Sequence, residues 1–151
     1  MDNFEYIQGG SELLDLIHPL WKKLNKHHEN KSIYFKYKFK NFTFKTRKNK
    51  FISSDNIKIK VDLVKYKNSY IAYCISTINK ELTGEIDSLY VDETYRNLEI
   101  GDKLMTRSLS WLNNNKVKRK IIGISAGNES VFKFYKKYGF FKRTITLEQI
   151  S

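Results

Sequence analysis

The sequence predicts a mixed α/β domain of the α+β type, on three observations. Helical spacing runs through the N-terminal third, and two consecutive segments then follow strand-like patterns across a short turn. The second half switches between apolar strand-like runs and amphipathic helices. The resulting order is an N-terminal helix pair, antiparallel strands, then strand, helix, strand, helix and strand.

Phe4 to Ile7 read as a short first strand, which Gly9-Gly10 ends. Ser11 and Glu12 open a helix in which Leu13, Leu16, Ile17, Leu20 and Leu24 recur at helical spacing. Pro19 inside that stripe predicts a kink or a boundary. Residues 33–50 fit two templates. Lys36, Lys38 and Lys40 alternate with Tyr37 and Phe39 as a strand would, whereas Phe35, Phe39 and Phe42 fall on a helical stripe. The fold reached below favours the helix. Ile57 to Tyr66 alternates Ile57, Ile59, Val61 and Leu63 with Lys58, Lys60 and Asp62, the pattern of a half-buried strand. Lys67-Asn68 has turn chemistry and joins it to Tyr70 to Ile78 as a hairpin. Leu82 to Val91 is a third strand, and residues 101–115 form a helix stopped by Asn113-Asn114-Asn115. Lys120 to Ser125 read as a buried strand. Asn128 to Tyr138 read as a helix ending at Gly139, and Phe140 to Leu147 close the sheet.

The chain of 151 residues is long enough for one domain with its own core, and a single domain over 1–151 is expected. Hydrophobic residues at 40% and aromatics at 15% argue against disorder. No apolar run approaches the roughly 20 residues of a membrane span. The N-terminus lacks the basic start and apolar stretch of a signal peptide, so a cytoplasmic protein is expected. Cys74 is the only cysteine and sits in an apolar run, which points to burial rather than nucleophilic work. The net charge of +12 arises from 28 basic and 16 acidic residues. Between Lys22 and Lys50 only Glu29 is acidic. Such a field attracts polyanions, although a bias toward Lys, Asn and Ile also accounts for it. His27-His28-Glu29 lacks a matching ligand cluster, so no metal site is expected. The Lys and aromatic residues at 34–45 could stack on bases, but an amphipathic wall over an acceptor pocket is the preferred reading.

Residues 89–105 say most about function. Leu89 to Val91 are strand-like, Asp92 to Thr94 turn-like, and Arg96 to Gly101 form a short basic loop that leads into a helix from Asp102, with Leu104, Met105, Leu109 and Leu112 on one face. Several backbone N–H groups then point outward at a helix N-terminus, a cradle suited to a diphosphate.

Three segments together resemble the GNAT superfamily of acetyl-CoA-dependent N-acetyltransferases, over roughly residues 80–145. Glu85-Ile86-Asp87-Ser88-Leu89-Tyr90-Val91 looks like its central strand. Arg96-Asn97-Leu98-Glu99-Ile100-Gly101 matches its loop Gln/Arg-x-x-Gly-x-Gly/Ala except at Glu99, which stands where the first glycine is usual. Asn128-Glu129-Ser130-Val131-Phe132-Lys133-Phe134-Tyr135-Lys136-Lys137-Tyr138-Gly139-Phe140 is similar to its Asn-x-x-Ala-x-x-Phe-Tyr-x-x-x-Gly-Phe segment. The resemblance implies a mixed central sheet of six to seven strands, splayed in the middle, with about four flanking helices.

It also implies acetyl-CoA as cosubstrate. The loop Arg96, Asn97, Leu98, Glu99, Ile100, Gly101 and Asp102 would hold the diphosphate. The backbone of Leu89, Tyr90 and Val91 would bind the pantetheine arm and polarise the acyl carbonyl, provided the strand splays from its neighbour at 120–125. Tyr135 matches the family tyrosine that protonates the leaving thiolate and contacts the cofactor. Asn128 matches an asparagine that contacts the cofactor, and it is also a natural N-cap. Glu99 could repel the diphosphate, or point to solvent while its N–H serves.

An amine acceptor with a pKa near ~10.4 must lose a proton before it attacks. Glu85 is the favoured base, because the resemblance places one there in some members. Asp87 shares its face and would raise its pKa, and either Asp87 or a held water remains open as the base. The alternative is that both are the wet face of an edge strand.

The expected function is therefore direct acetyl transfer to a primary amine in a ternary complex. Two rivals are a non-catalytic acyl-CoA sensor of the same fold and a basic nucleic-acid-binding module. Residues 11–56 would build most of the acceptor pocket. Its basic rim disfavours polyamines and allows small neutral amines, amino acids with acidic groups, antibiotics or a protein terminus. Exposed Ile145 and Leu147 on the last strand could pair two copies as a homodimer.

Overall fold

Lys67 and Asn68 both take left-handed backbone, φ 49° and 69°, in an exposed turn that closes a tight hairpin. In the computed structural model, which describes residues 3–52 and 55–151, this turn joins β2 (Asn56–Tyr66) to β3 (Ser69–Asn79). Ser53 and Ser54, part of the stretch expected to build the acceptor pocket, lie outside the described residues. β1 (Glu5–Gly9) pairs antiparallel with β2, and β3 pairs antiparallel with β4 (Thr83–Val91). β5 (Arg119–Ile122) runs parallel to β4, so the sheet order is β1-β2-β3-β4-β5.

A 3-10 segment over Ser11–Ile17 and helices α1 (His18–Lys31), α2 (Lys36–Lys40) and α3 (Phe44–Ile52) cover one face. Their Leu14, Ile17, Leu20, Trp21, Phe44 and Phe51 pack on Val61, Leu63, Tyr73, Ile75 and Tyr90. Pro19 falls in the first turn of α1 and so marks a boundary, not a kink. The ambiguity over 33–50 resolves as helix. Lys36, Lys38 and Lys40 are exposed, and Phe39 turns inward.

On the other face α4 (Ile100–Asn114) and α5 (Phe132–Lys136) pack on the sheet. Leu104, Met105 and Leu112 are wholly buried against residues that include Ala72, Cys74 and Ile86. Each such side chain contributes roughly 1.5–3 kcal/mol. No helix among the described residues is long and apolar enough to cross a membrane.

Four expectations are corrected. Phe140 to Leu147 do not form a closing strand, so the described residues hold five strands rather than six to seven. That segment lacks an apolar layer to face, with Phe141, Ile145 and Leu147 exposed, and Glu148 pairs with Lys38 of α2 instead of following β5. β5 stops at Ile122 and is only partly buried, because no strand continues beyond it. The helix expected over 128–138 begins as a 3-10 turn at Glu129–Val131, becomes α5, and gives way to a turn whose Gly139 has φ +85°. Finally, the polar side of β2 stays wet only at Lys58 and is buried at Lys60 and Asp62. α4 covers this pair, leaving Lys60 8% and Asp62 1% exposed.

Those two residues show how α4 is seated. Arg107 Nε donates to Asp62 Oδ1 at 3.1 Å, and Lys60 Nζ lies 3.0 Å from Oδ2 as a charge contact. Arg107 also donates to Gln8 Oε1 at 3.1 Å, which ties α4 to β1 as well. A buried carboxylate persists only when its charge is met this way. Asp62→Ala leaves two cations without their partner and should lower stability by about 3–5 kcal/mol, read from the urea midpoint at constant slope. A loss within experimental error would show that the cluster is not what seats α4.

Candidate active site

The sheet opens where β4 and β5 part. Their ladder runs from Thr83↔Arg119 to Ile86↔Ile122 and stops, while β4 stays paired with β3 as far as Ala72↔Val91. This is the wedge anticipated between residues 89–91 and 120–125. A bulge sits at its apex: Ile86 pairs with Ser76 and Ser88 with Ile75, so Asp87 is the extra residue. The bulge reverses side-chain parity. Ile86, Leu89 and Val91 pack toward α4, whereas Tyr90 packs toward α1 and α3.

The Asp92 N–H donates to Ile71 O of β3 at 2.8 Å, which turns the backbone groups of Leu89 and Val91 toward the opening. Two arginines meet carbonyls along this stretch. Arg47 Nη2 donates to Asp87 O at 2.9 Å, and Arg96 Nε donates to Val91 O at 2.9 Å. Arg96 also lies over the Tyr90 ring, 5.5 Å from its centroid.

A cavity of about 690 Å³ fills the wedge. Leu89, Tyr90, Val91, Arg96, Asn97, Glu99, Ile100, Gly101, Asp102, Asn128 and Tyr135 all border it. Leu98 does not; its side chain is 46% exposed and turns outward from the loop. The loop bends through two left-handed residues, Asn97 at φ 66° and Glu99 at φ 64°. Glu99 occupies the N-cap position of α4 without a side-chain cap bond, so the first-turn N–H groups stay available to an anion. Asp102 spends its carboxylate elsewhere. It accepts from Lys137 Nζ at 2.9 Å and from the Tyr138 hydroxyl, which together hold its pKa below the usual range.

Tyr135 borders the cavity from α5, its ring edge-on to Phe134 at 5.2 Å. Burial pushes its pKa well above the ordinary phenol value. Asn128 stands at the N-cap position of the following 3-10 turn, but its side chain makes no cap bond. Its Oδ1 instead meets His27 Nε2 at 3.1 Å, so the capping role expected from the sequence is replaced by a bridge to α1. Beside it, a Cβ on Gly127 would fall 2.2 Å from Lys31 O, so only glycine permits this approach.

Of the two carboxylates, Asp87 borders the cavity and Glu85 does not. They lie on one face, as their shared parity predicted, close enough to hydrogen-bond. Burial first and the Asp87 charge second push Glu85 up to about 7. Asp87 is also raised by burial, opposed by the hydroxyl that Thr77 donates and by the Arg47 charge.

Phe39 and Phe42, within the stretch 34–45 read as a wall over the acceptor pocket, border the cavity, as do Trp21, His28, Arg47 and Lys137, to which the sequence reading gave no role in the site. Burial lowers His28 to about 4, so it is a neutral ring at working pH, and its Nδ1 is buried without a protein partner. His27 faces Asn128 while His28 packs on Phe39, and no group of three or more metal-ligating side chains occurs among the described residues.

The sequence matches the model of the acetyltransferase (GNAT) family over residues 17–140. No curated protein matches it. Among solved structures it is similar to an aminoglycoside N-acetyltransferase, AAC(6')-Iy, in complex with CoA, at TM-score 0.68 and 13% identity, covering 99% of this chain and 96% of that one. An aminoglycoside acetyltransferase from an uncultured soil metagenomic sample, in complex with sisomicin, aligns at TM-score 0.64 and 14% identity, covering 97% and 95%. A ribosomal-protein-alanine N-acetyltransferase from Brucella melitensis biovar Abortus 2308 aligns at TM-score 0.68 and 9% identity, covering 97% and 99%.

The left-handed backbone explains why glycine is usual at position 99. A side chain there costs roughly 1–2 kcal/mol, partly offset by glycine's larger entropy loss on folding. Glu99→Gly should therefore raise Tm by about 2–4 °C and tighten CoA severalfold by calorimetry. Glu99→Gln keeps the strain and removes the charge. An unchanged CoA affinity in Glu99→Gln would show that the carboxylate does not oppose the ligand.

Proposed function

The chain belongs to the GNAT acetyltransferase family, and from that premise we propose that it moves an acetyl group from acetyl-CoA to a primary amine by direct transfer in a ternary complex. One observation carries this reading. A single cavity passes the uncapped start of α4, crosses the open edge of β4 and reaches the Asp87 carboxylate.

The residues present suit acetyl-CoA. First-turn N–H groups of α4, with Arg96 and Lys137 nearby, form a polar cradle for a diphosphate. The backbone groups of Leu89 and Val91 face the space where an extended pantetheine arm could add alongside the strand. Bound there, acetyl-CoA supplies an activated acyl group. Direct transfer is supported by Cys74, the one cysteine, which is wholly buried, has its pKa raised to about 12 and does not border the cavity. A thiol so placed is no nucleophile for an acyl intermediate.

In this reading the Glu85–Asp87 pair takes the proton that the acceptor amine sheds, with Asp87 at the cavity wall and Glu85 behind it. Tyr135 holds its proton on the phenol oxygen across the working pH range and would donate it to the CoA sulfur as the C–S bond breaks. By their names, two of the structural neighbours act on aminoglycosides and the third on a ribosomal protein. They support an amine acceptor on either a small molecule or a protein.

Because the base must be ionised, kcat/KM should rise with pH through about 7 and level off above it. Glu85→Gln should lower kcat by about a hundredfold or more and remove that limb. Stability carries the opposite sign. A carboxyl whose folded-state pKa lies above its ordinary value favours the protonated fold, so its contribution is lost as pH rises toward about 7. Glu85→Gln should thus melt higher than wild type at pH 8, by about 2–4 °C for a discounted ~1 kcal/mol. Full activity in this variant would remove Glu85 from the base.

Tyr135→Phe should cut kcat by about a hundredfold while CoA affinity stays within about twofold. Collapsed CoA binding with preserved turnover of the bound fraction would make Tyr135 a packing residue instead.

A further inference from the structure

The cavity has a neighbour. A second hollow of about 790 Å³ lies over α1 and the α2–α3 segment. Trp21, Asn25, Phe39 and Phe42 line both, so the two spaces share one wall. The two acids on its rim are already met, Asp15 by Lys48 at 2.8 Å and Glu29 by Lys26 at 3.0 Å. Lys22, Lys40 and Lys45, all exposed, make no ion pair among the described residues. Three uncompensated cations therefore border a groove that adjoins the acceptor end of the cavity.

We propose that this groove holds an acidic stretch of a peptide or protein acceptor, whose amine crosses the shared wall to Asp87. The inference rests on the acetyl-transfer reading above and names its acceptor class. Charge decides the occupant: a basic or polyamine chain would be repelled here, while each carboxylate of an acidic chain finds an unpaired ammonium group. The wall favours a polypeptide over a nucleic acid. Trp21 is only 5% exposed and packs on Phe42 and Phe44 at 5.7 and 5.5 Å with tilted planes, so it offers no bare ring face for a base to stack on.

The test compares short peptides that share one N-terminal residue and continue with acidic, neutral or basic residues, with phenethylamine as a small-amine probe. Acetyl transfer is followed as free thiol from acetyl-CoA. The acidic peptide should show a kcat/KM about tenfold above the neutral one, as three exposed ion pairs allow. The gain should lie in KM and vanish as salt approaches about 1 M. The triple variant Lys22→Glu, Lys40→Glu, Lys45→Glu should prefer the basic peptide, while its thermal shift with CoA shows that it remains folded.

Equal rates on the three peptides, or an acidic preference that survives in the triple variant, overturns the groove assignment. Phenethylamine turnover without peptide turnover does the same, and leaves the acetyl-transfer reading standing. Inhibition by an RNA oligonucleotide with no ranking among the peptides assigns the groove to nucleic acid and overturns the proposal. No thiol release with any amine overturns both readings together.

Discussion

The β4–β5 ladder ends after Ile86↔Ile122, and the rest of the site depends on that stop. Parallel strands normally continue for as long as both have residues to offer, since each buried unpaired backbone group costs about 1–3 kcal/mol. Here the cost is contained locally. Guanidinium groups satisfy the carbonyls of Asp87 and Val91, and the groups between them border an open cavity rather than a dry core. The far wall is held back as well. Gly127 lies against Lys31 O, and Asn128 meets His27, so the loop after β5 is anchored to the end of α1 instead of closing on β4. The opening is thus a braced feature of the fold, tied at its apex by a bulge and beyond β5 by α1.

Charge within the opening is set by opposed effects, of which burial is the largest. Burial of Glu85 and Asp87 resists ionisation, and the Asp87 charge adds to that resistance at Glu85, whereas the hydrogen bond from Glu85 favours the ionised form of Asp87. Arg47 pulls both the other way from α3, where its guanidinium also lies 4.2 Å from the centre of the Phe51 ring. Its guanidinium is engaged by the Phe51 ring and the Asp87 carbonyl rather than by either carboxylate. It tempers the pair without neutralising it. That leaves one group near neutrality, the range in which a proton acceptor is most useful at physiological pH.

Much of this could be read from the chain because the informative features are local. The hairpin at Lys67-Asn68, the boundary at Pro19, and the strand–loop–helix run through Arg96 and Gly101 each follow from a few adjacent residues. The bulge at Asp87 could not be read, since alternation in β4 looks unbroken until β3 shows two residues opposite three. Burial of Lys60 and Asp62 was hidden for a similar reason: their partner Arg107 lies 45 positions beyond Asp62 in sequence, on a helix whose placement the strand pattern does not specify. The closing strand failed in the other direction. Apolar alternation at Phe141 to Leu147 is a local signal for a strand, but a strand requires a partner, and Glu148 is drawn to Lys38.

The Asp102 carboxylate explains how one end of the site can position the other. Asp102 is in the first turn of α4, where a negative charge favours the helix dipole but opposes an incoming anion. Lys137 and Tyr138 both bind that carboxylate, so its charge faces the α5 segment and is largely compensated there. The same contacts fix the chain two and three residues beyond Tyr135. A short helix of five residues has little stability of its own, and its orientation must come from tertiary anchors. The anchor here is the first turn of α4, whose N–H groups carry no side-chain cap. The placement of the Tyr135 phenol relative to that turn is therefore held by one carboxylate and its two partners together with the packing of Phe134, Tyr135 and Tyr138 on the core.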